Sequence, residues 1–179
     1  MSQSTREKLI NSAIKVFSNK GYFNTKISDI VKDAGLAQGT FYIYFKSKKD
    51  IFAEIVNFVV YEIEDTIRKF EEKEGNSTQI IKEFAREILE ILYKFKDIAY
   101  IFFFQAICME EEFRKINIET SQKIKEFYQK KIKDELKAEI LIGYGKRVVE
   151  FDLLIEKRDK DYVINKFLSA VDLIVGEEK

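Results

Sequence analysis

The stretch from Thr25 to Phe52 constrains the fold more than any other part of the chain. Ile27, Ile30, Val31 and Ala34 fall at i, i+3, i+4 and i+7, one apolar stripe on a short helix. Gly35 follows at once, where a helix end favours a left-handed residue. A second short helix is predicted over Gln38 to Tyr44, and Ser47 with Asp50 then opens a third. The Ser hydroxyl can accept the amide three residues on, while the Asp carboxylate reaches back. Two short helices joined by a short Gly-containing turn make the helix-turn-helix pattern.

The rest of the chain also reads as helix. Its 179 residues contain no Pro and only 7 Gly, so little interrupts a 3.6-residue period. Leu9, Ile10, Ala13, Ile14 and Phe17 share a face of a first helix running from about Ser4 to Asn19 and ended by Gly21. A fourth carries Ile51, Ile55, Val59 and Ile63 to about Glu72. Residues 74–78 break the chain, and Ser77 or Thr78 is expected to cap a helix reaching about Lys96. Ile98 to Met109 is nearly all apolar, which requires enclosure on every side; Cys108 within it reads as a small core residue. Further helices are predicted from about Ile118 toward Ile142 and from about Lys160 to Val175. Residues 141–158 stay ambiguous, because Gly143 and Gly145 interrupt a helix there. The expected class is all-α.

Composition narrows the chemistry. Hydrophobic residues at 46% supply a core, and no run approaches the ~20 apolar residues of a membrane span. The first eight residues hold no apolar signal segment, and the single Cys cannot form an internal disulfide, so a cytoplasmic protein is expected. The chain has no His, which removes His-based acid–base chemistry, triads and the usual zinc sites. With no Gly-rich phosphate loop either, neither catalysis nor a cofactor nor a metal is expected. Net charge is zero, but residues 1–50 hold nine Lys and Arg against four acids, a net of +5, and residues 51–179 hold 22 against 27, a net of −5. A basic end on an acidic body suits a polyanionic partner.

With the helix before it, the opening stretch resembles the DNA-binding domain of TetR-family transcriptional regulators. Leu9-Ile10, Ala13, Val16-Phe17 and Gly21-Tyr22-Phe23 carry the first part of the likeness. Residues 25–36 carry the second, and Gly39-Thr40-Phe41-Tyr42, Tyr44-Phe45 and Ser47-Lys48 the third. The resemblance implies a three-helix helix-turn-helix DNA-binding domain over 1–47. A long helix joins it to a helical ligand-binding and dimerisation domain over 48–179. It implies a repressor that binds a palindromic double-stranded operator as a homodimer, away from any membrane, and is released by a small effector. A helical apolar-ligand carrier or interaction module of the same fold, without DNA binding, is the alternative.

Site residues follow from the groove geometry and from the family. The N-terminal residues of a recognition helix meet base edges. Gln38 can bind adenine, Thr40 can bond a base or touch a thymine methyl, and Gly39 permits close backbone approach. Tyr42 and Lys48 match family positions that contact phosphate, and Thr25 and Lys26 stand where family members commonly do so. Tyr44 is a further candidate; the alternative for both tyrosines is a half-buried packing residue with a wet hydroxyl. Phe41 and Phe45 are expected in the core. The family usually has Ser or Thr where Lys26 stands, as a cap; Lys cannot accept that bond, so the cap is expected at Thr25 or the helix end frays. An apolar effector pocket is expected from Phe84, Tyr100, Phe103, Phe104, Gln105, Phe127 and Tyr128, suited to an aromatic or long acyl ligand. Family members commonly dimerise through two long C-terminal helices, whereas only one is clear here. Residues 141–158 supply the other, or dimerisation differs, or the chain is a shortened form.

Overall fold

The computed structural model describes residues 4–176, which form helices and connecting turns with no strand among them. The helices fall into two units. One holds the residues through Phe58 together with Asp97–Phe113; the other holds Val59–Lys96 and the residues from Arg114 on. The packing draws the 97–113 segment in with the N-terminal helices.

In the first unit, α1 spans Thr5–Asn24, α2 Ile27–Ala34 and α3 Gln38–Tyr44; α4, Lys48–Glu71, begins here and continues into the second. Ser4 opens α1 with a reciprocal cap: its hydroxyl accepts from the Glu7 amide at 3.2 Å, and the Glu7 carboxylate accepts from the Ser4 amide at 2.9 Å. Gly21 breaks the helical backbone at φ 76°, ψ 170°, a region open in practice only to Gly. Gly35, at φ 67°, closes α2, and the Leu36 amide returns to Val31 O at 2.9 Å. Ser47 caps α4 as expected, accepting from the Asp50 amide at 3.1 Å, while the Asp50 carboxylate reaches back to the Lys46 amide at 2.8 Å. The core of this unit is aromatic. Phe52 packs on Phe17, Tyr22 and Phe113 with ring centroids 5.0, 5.1 and 5.3 Å apart. Such offset and edge-on pairs add about 0.5–1.5 kcal/mol each to plain burial.

The segment just before Phe113, which itself lies near the start of the helix Glu111–Ile132, is not one regular helix. It runs as α6 (Lys96–Ile101), a π-helical stretch (Phe102–Ala106) and a last turn, α7 (Ile107–Met109). Its expected enclosure fails along one stripe. Tyr100, Phe104 and Cys108, spaced by four, are exposed, so Cys108 is a surface residue.

The second unit holds the rest of α4 with α5 (Ser77–Lys94), α8 (Glu111–Ile132) from Arg114 on, α9 (Glu135–Arg147) and α10 (Lys160–Val175). Asn76, not Ser77 or Thr78, caps α5, accepting from the Gln79 amide at 2.9 Å; Thr78 instead donates to Gly176 O at 2.6 Å. The helix expected through Ile142 breaks early: Lys133 adopts φ 58° and the Asp134 carboxylate caps a new helix on the Lys137 amide. Conversely, Gly143 and Gly145 do not interrupt. Helix α9 runs through both and continues as a π-helical stretch, Val148–Ile155, so residues 135–155 supply the second C-terminal helix. Gly145 serves packing: a Cβ there would lie 3.3 Å from the Phe167 ring of α10. Within this second stretch Asp152 is buried and bonded to Lys166 at 2.8 Å; its other oxygen has no hydrogen bond, with Arg147 3.7 Å away.

Candidate nucleic-acid interface

Helix α3 is anchored on one side and bare on the other. Phe41 is fully buried and Phe45 nearly so, four residues apart, and their rings meet at 5.6 Å. That fixes the opposite face outward. Gln38, Gly39, Tyr42, Ile43 and Tyr44 are exposed, and Thr40 is half-buried. Nothing lies within 4 Å of a Cβ built on Gly39, so the protein itself gives no steric reason for a glycine there.

Ile43 was not expected at the site. It is 76% exposed, in the middle of the bare face. The signal was present in the sequence: residues 41 and 45 form the core side of a short helix, so position 43 must point away.

The flanking residues divide. Thr25 is buried, and its hydroxyl donates to Gly21 O at 2.7 Å, an internal tie. Lys26 is exposed at the α2 N-cap position; its side chain makes no cap, and the Asp29 carboxylate takes the Lys26 amide at 3.0 Å. Helix α2 is therefore held by its third residue reaching back. Lys20, 2.8 Å from Asp29, holds that carboxyl below its usual range together with the backbone bond. Lys48 lies half-buried, with its ammonium donating to Tyr22 O at 2.6 Å and Phe23 O at 3.3 Å, 4.7 Å above the Tyr22 ring. Burial lowers its pKa. Lys49 faces Glu112 at 3.3 Å. Arg6 and Lys15 are paired with Glu54 and Asp33.

The expected effector residues form two groups, one in each unit. Phe84, Phe127 and Tyr128 are core residues of the second, with Phe84 and Phe127 centroids 4.1 Å apart. Burial raises the Tyr128 hydroxyl pKa far above its ordinary value. Tyr100, Phe103, Phe104 and Gln105 belong to the first unit. The Tyr100 and Phe104 rings meet at 5.0 Å on the exposed stripe, and Phe103 is half-buried. The Gln105 amide oxygen accepts from the Tyr22 amide at 2.8 Å.

This arrangement of helices can be compared with known proteins. The pattern of bacterial regulatory proteins of the tetR family matches residues 9–55, and that of the tetracyclin repressor-like C-terminal domain matches residues 79–174, over half of the chain. The chain belongs to the TetR family. The HTH-type transcriptional regulator YdgC of Bacillus subtilis is 30% identical over 169 residues, 87% of this chain and 84% of YdgC. The fatty acid metabolism regulator protein of B. subtilis is 33% identical over 123 residues, 66% of this chain and 57% of its own. A TetR/AcrR-type regulator from Aquifex aeolicus VF5 has a structure similar at a TM-score of 0.78 and 26% identity, over 96% of this chain and 99% of that one. This TetR-family member is a DNA-binding transcriptional regulator with an all-α fold. Among the described residues no helix is long and apolar enough to cross a membrane.

Proposed function

We propose that this regulator is a repressor that binds a palindromic operator as a homodimer and leaves it when a small apolar or aromatic molecule binds the helical body, residues 48–179. The observation that carries the DNA half is the outer face of α3, built from Gln38, Gly39, Thr40, Tyr42, Ile43 and Tyr44 and pinned from behind by Phe41 and Phe45. Gln38 and Thr40 read bases, and Ile43 adds an apolar contact of the kind a thymine methyl accepts. Tyr42, Tyr44 and Lys26 position the helix on phosphates. Lys48 joins them through donor capacity left beyond its two carbonyls, with Thr25 holding the α1 exit behind it.

Dimerisation is assigned to α9, the π stretch after it, and α10. Leu136, Ile140, Phe151, Ile155, Tyr162 and Leu173 are all exposed on these helices, apolar side chains that a second copy would cover. For the effector, the relative named as a fatty acid metabolism regulator makes a long acyl chain the first ligand to try. Release follows if that ligand prefers the conformation whose recognition helices are wrongly spaced for successive major grooves. A coupling of about 1–3 kcal/mol would lower operator affinity roughly 5- to 150-fold.

The test is a mobility shift with the DNA upstream of the protein's own gene. Sequence-specific, salt-sensitive retardation is expected, and its absence sinks the reading. Gly39→Ala sharpens it. Removing a helical glycine should stabilise the fold by about 0.5–1 kcal/mol, since the added methyl meets nothing. The same methyl should obstruct the DNA and weaken operator binding by roughly 10-fold or more, a loss comparable with one base contact.

A further inference from the structure

Gln105 is the only side-chain amide in the apolar run from Ile98 to Met109. It would serve a ligand pocket well, yet its oxygen is spent on the Tyr22 amide 83 residues away in sequence, at 2.8 Å and within the same unit. Two local features make that bond possible. Gly21 leaves the helical backbone just before Tyr22 and presents no side chain. A Cβ on Gly21 would stand 2.9 Å from Gln105 Oε1 and 3.1 Å from Nε2, so no other residue fits there without displacing the amide. On the other side, Gln105 lies inside the π-helical stretch Phe102–Ala106. One residue more or less in that register turns a side chain by about 100° around its helix axis, enough to carry Gln105 off α1.

Tyr22 is the point where several elements meet. Its carbonyl accepts from Lys48, the first residue of α4, which follows directly on the recognition helix and its Phe45 anchor. Its ring lies against Phe17 and Phe52, and edge-on to Phe113. Burial, and then the Glu110 carboxylate, push its hydroxyl pKa up to about 12, so it stays protonated. Its backbone N–H and C=O are thus held by two different segments of the unit, and its ring by aromatic neighbours.

We propose that Gln105 is a positioning residue for operator recognition: its bond to the Tyr22 amide fixes the exit of α1 and, through Lys48, the α3–α4 junction. A register change in residues 102–106 then reaches the DNA-binding face through this bond. The proposal rests on the operator-binding reading above, and its tests separate the two.

The variants are Gln105→Leu, which keeps the bulk and loses the acceptor, and Gln105→Glu, which keeps an acceptor oxygen at the same reach. Hydrogen exchange of the Tyr22 amide needs no DNA. In Gln105→Leu it should speed up roughly 5- to 10-fold, the worth of one lost hydrogen bond, while Gln105→Glu stays close to wild type. Operator affinity, read by fluorescence anisotropy on the same upstream DNA, should fall roughly 5- to 10-fold in Gln105→Leu and recover in Gln105→Glu. Thermal unfolding of each variant is followed alongside, and if Gln105→Leu unfolds, Gln105→Met replaces it. The idea is overturned if Tyr22 stays protected without the acceptor, if Gln105→Leu binds operator like wild type, or if Gln105→Glu is as weak as Gln105→Leu. Wild type failing to bind that DNA would instead refute the operator reading, and the exchange result would still decide whether the tie exists.

Discussion

The two π-helical stretches use one backbone device for opposite ends. Each lies in a largely apolar run and each uses a polar residue in an internal bond: Gln105 in Phe102–Ala106 and Asp152 near the middle of Val148–Ile155. Gln105 is neutral, half-exposed, and makes one bond to a backbone amide. Asp152 is 2% exposed and charged, bonded to Lys166 on α10 with Arg147 close by. A neutral hydrogen bond nets about 1 kcal/mol and can be traded for water, whereas a buried carboxylate stripped of its partner finds no comparable substitute. The first arrangement suits a joint that opens. The second suits one that stays shut. Each also has a glycine beside it that admits a neighbour's side chain: Gly21 under Gln105, and Gly145 against Phe167.

Breaking the first joint from the glycine side should have the largest effect. In Gly21→Ala an alanine is forced into φ 76°, ψ 170°, which costs about 1–3 kcal/mol, and its methyl overlaps the Gln105 amide. Thermal unfolding should shift down by more than the backbone strain alone, since the overlap adds to it, and Tyr22 should lose its exchange protection. An Ala variant as stable as wild type would mean that Gln105 and the backbone yield more easily than a built joint should. Next comes Asp152→Ala, which deletes a charge-assisted bond and leaves a small void, for a loss of about 1.5–3 kcal/mol in chemical denaturation. The contrast requires this loss to appear in stability alone. Operator affinity per folded molecule should stay near wild type, the reverse of Gln105→Leu.

How far these joints could be foreseen depends on whether their signal is local. The helix-turn-helix was legible because each cue sits within a few residues: Gly35 after an i, i+3, i+4 stripe, the Phe41–Phe45 pair, and Ser47 with Asp50. Ile43 was legible in principle by the same spacing. The π stretches were not. A 3.6-residue template has no place for an added residue, and the run 98–109 offers no polar phase from which to detect one. Gln105 read as a pocket handle because its partner, Tyr22, is distant in sequence. The carbonyls that Lys48 serves, of residues 22 and 23, were out of sight for the same reason. The break at Lys133 had no marker, since a lysine rarely adopts positive φ, while Gly143 and Gly145 suggested one that does not exist.

Gly145→Ala should produce the smallest change, and it tests whether the second joint is as tight as its buried charge implies. The glycine is helical, so alanine recovers up to about 1 kcal/mol of backbone entropy. Against that, the new methyl would stand 3.3 Å from Phe167 Cε2, so the ring must move by a few tenths of an ångström. Phe167 is itself buried and parallel to the Tyr144 ring at 6.2 Å, which limits that movement. The two effects are of similar size and opposite sign, and unfolding should move by no more than about 0.5 kcal/mol either way. Operator binding should not change, because nothing in the contact touches α1, α3 or residues 97–113. A clear loss of stability would show that α9 and α10 meet without slack beside the second π stretch. A clear gain would show that Phe167 yields freely there, and would confine rigidity to Asp152 and its two cations.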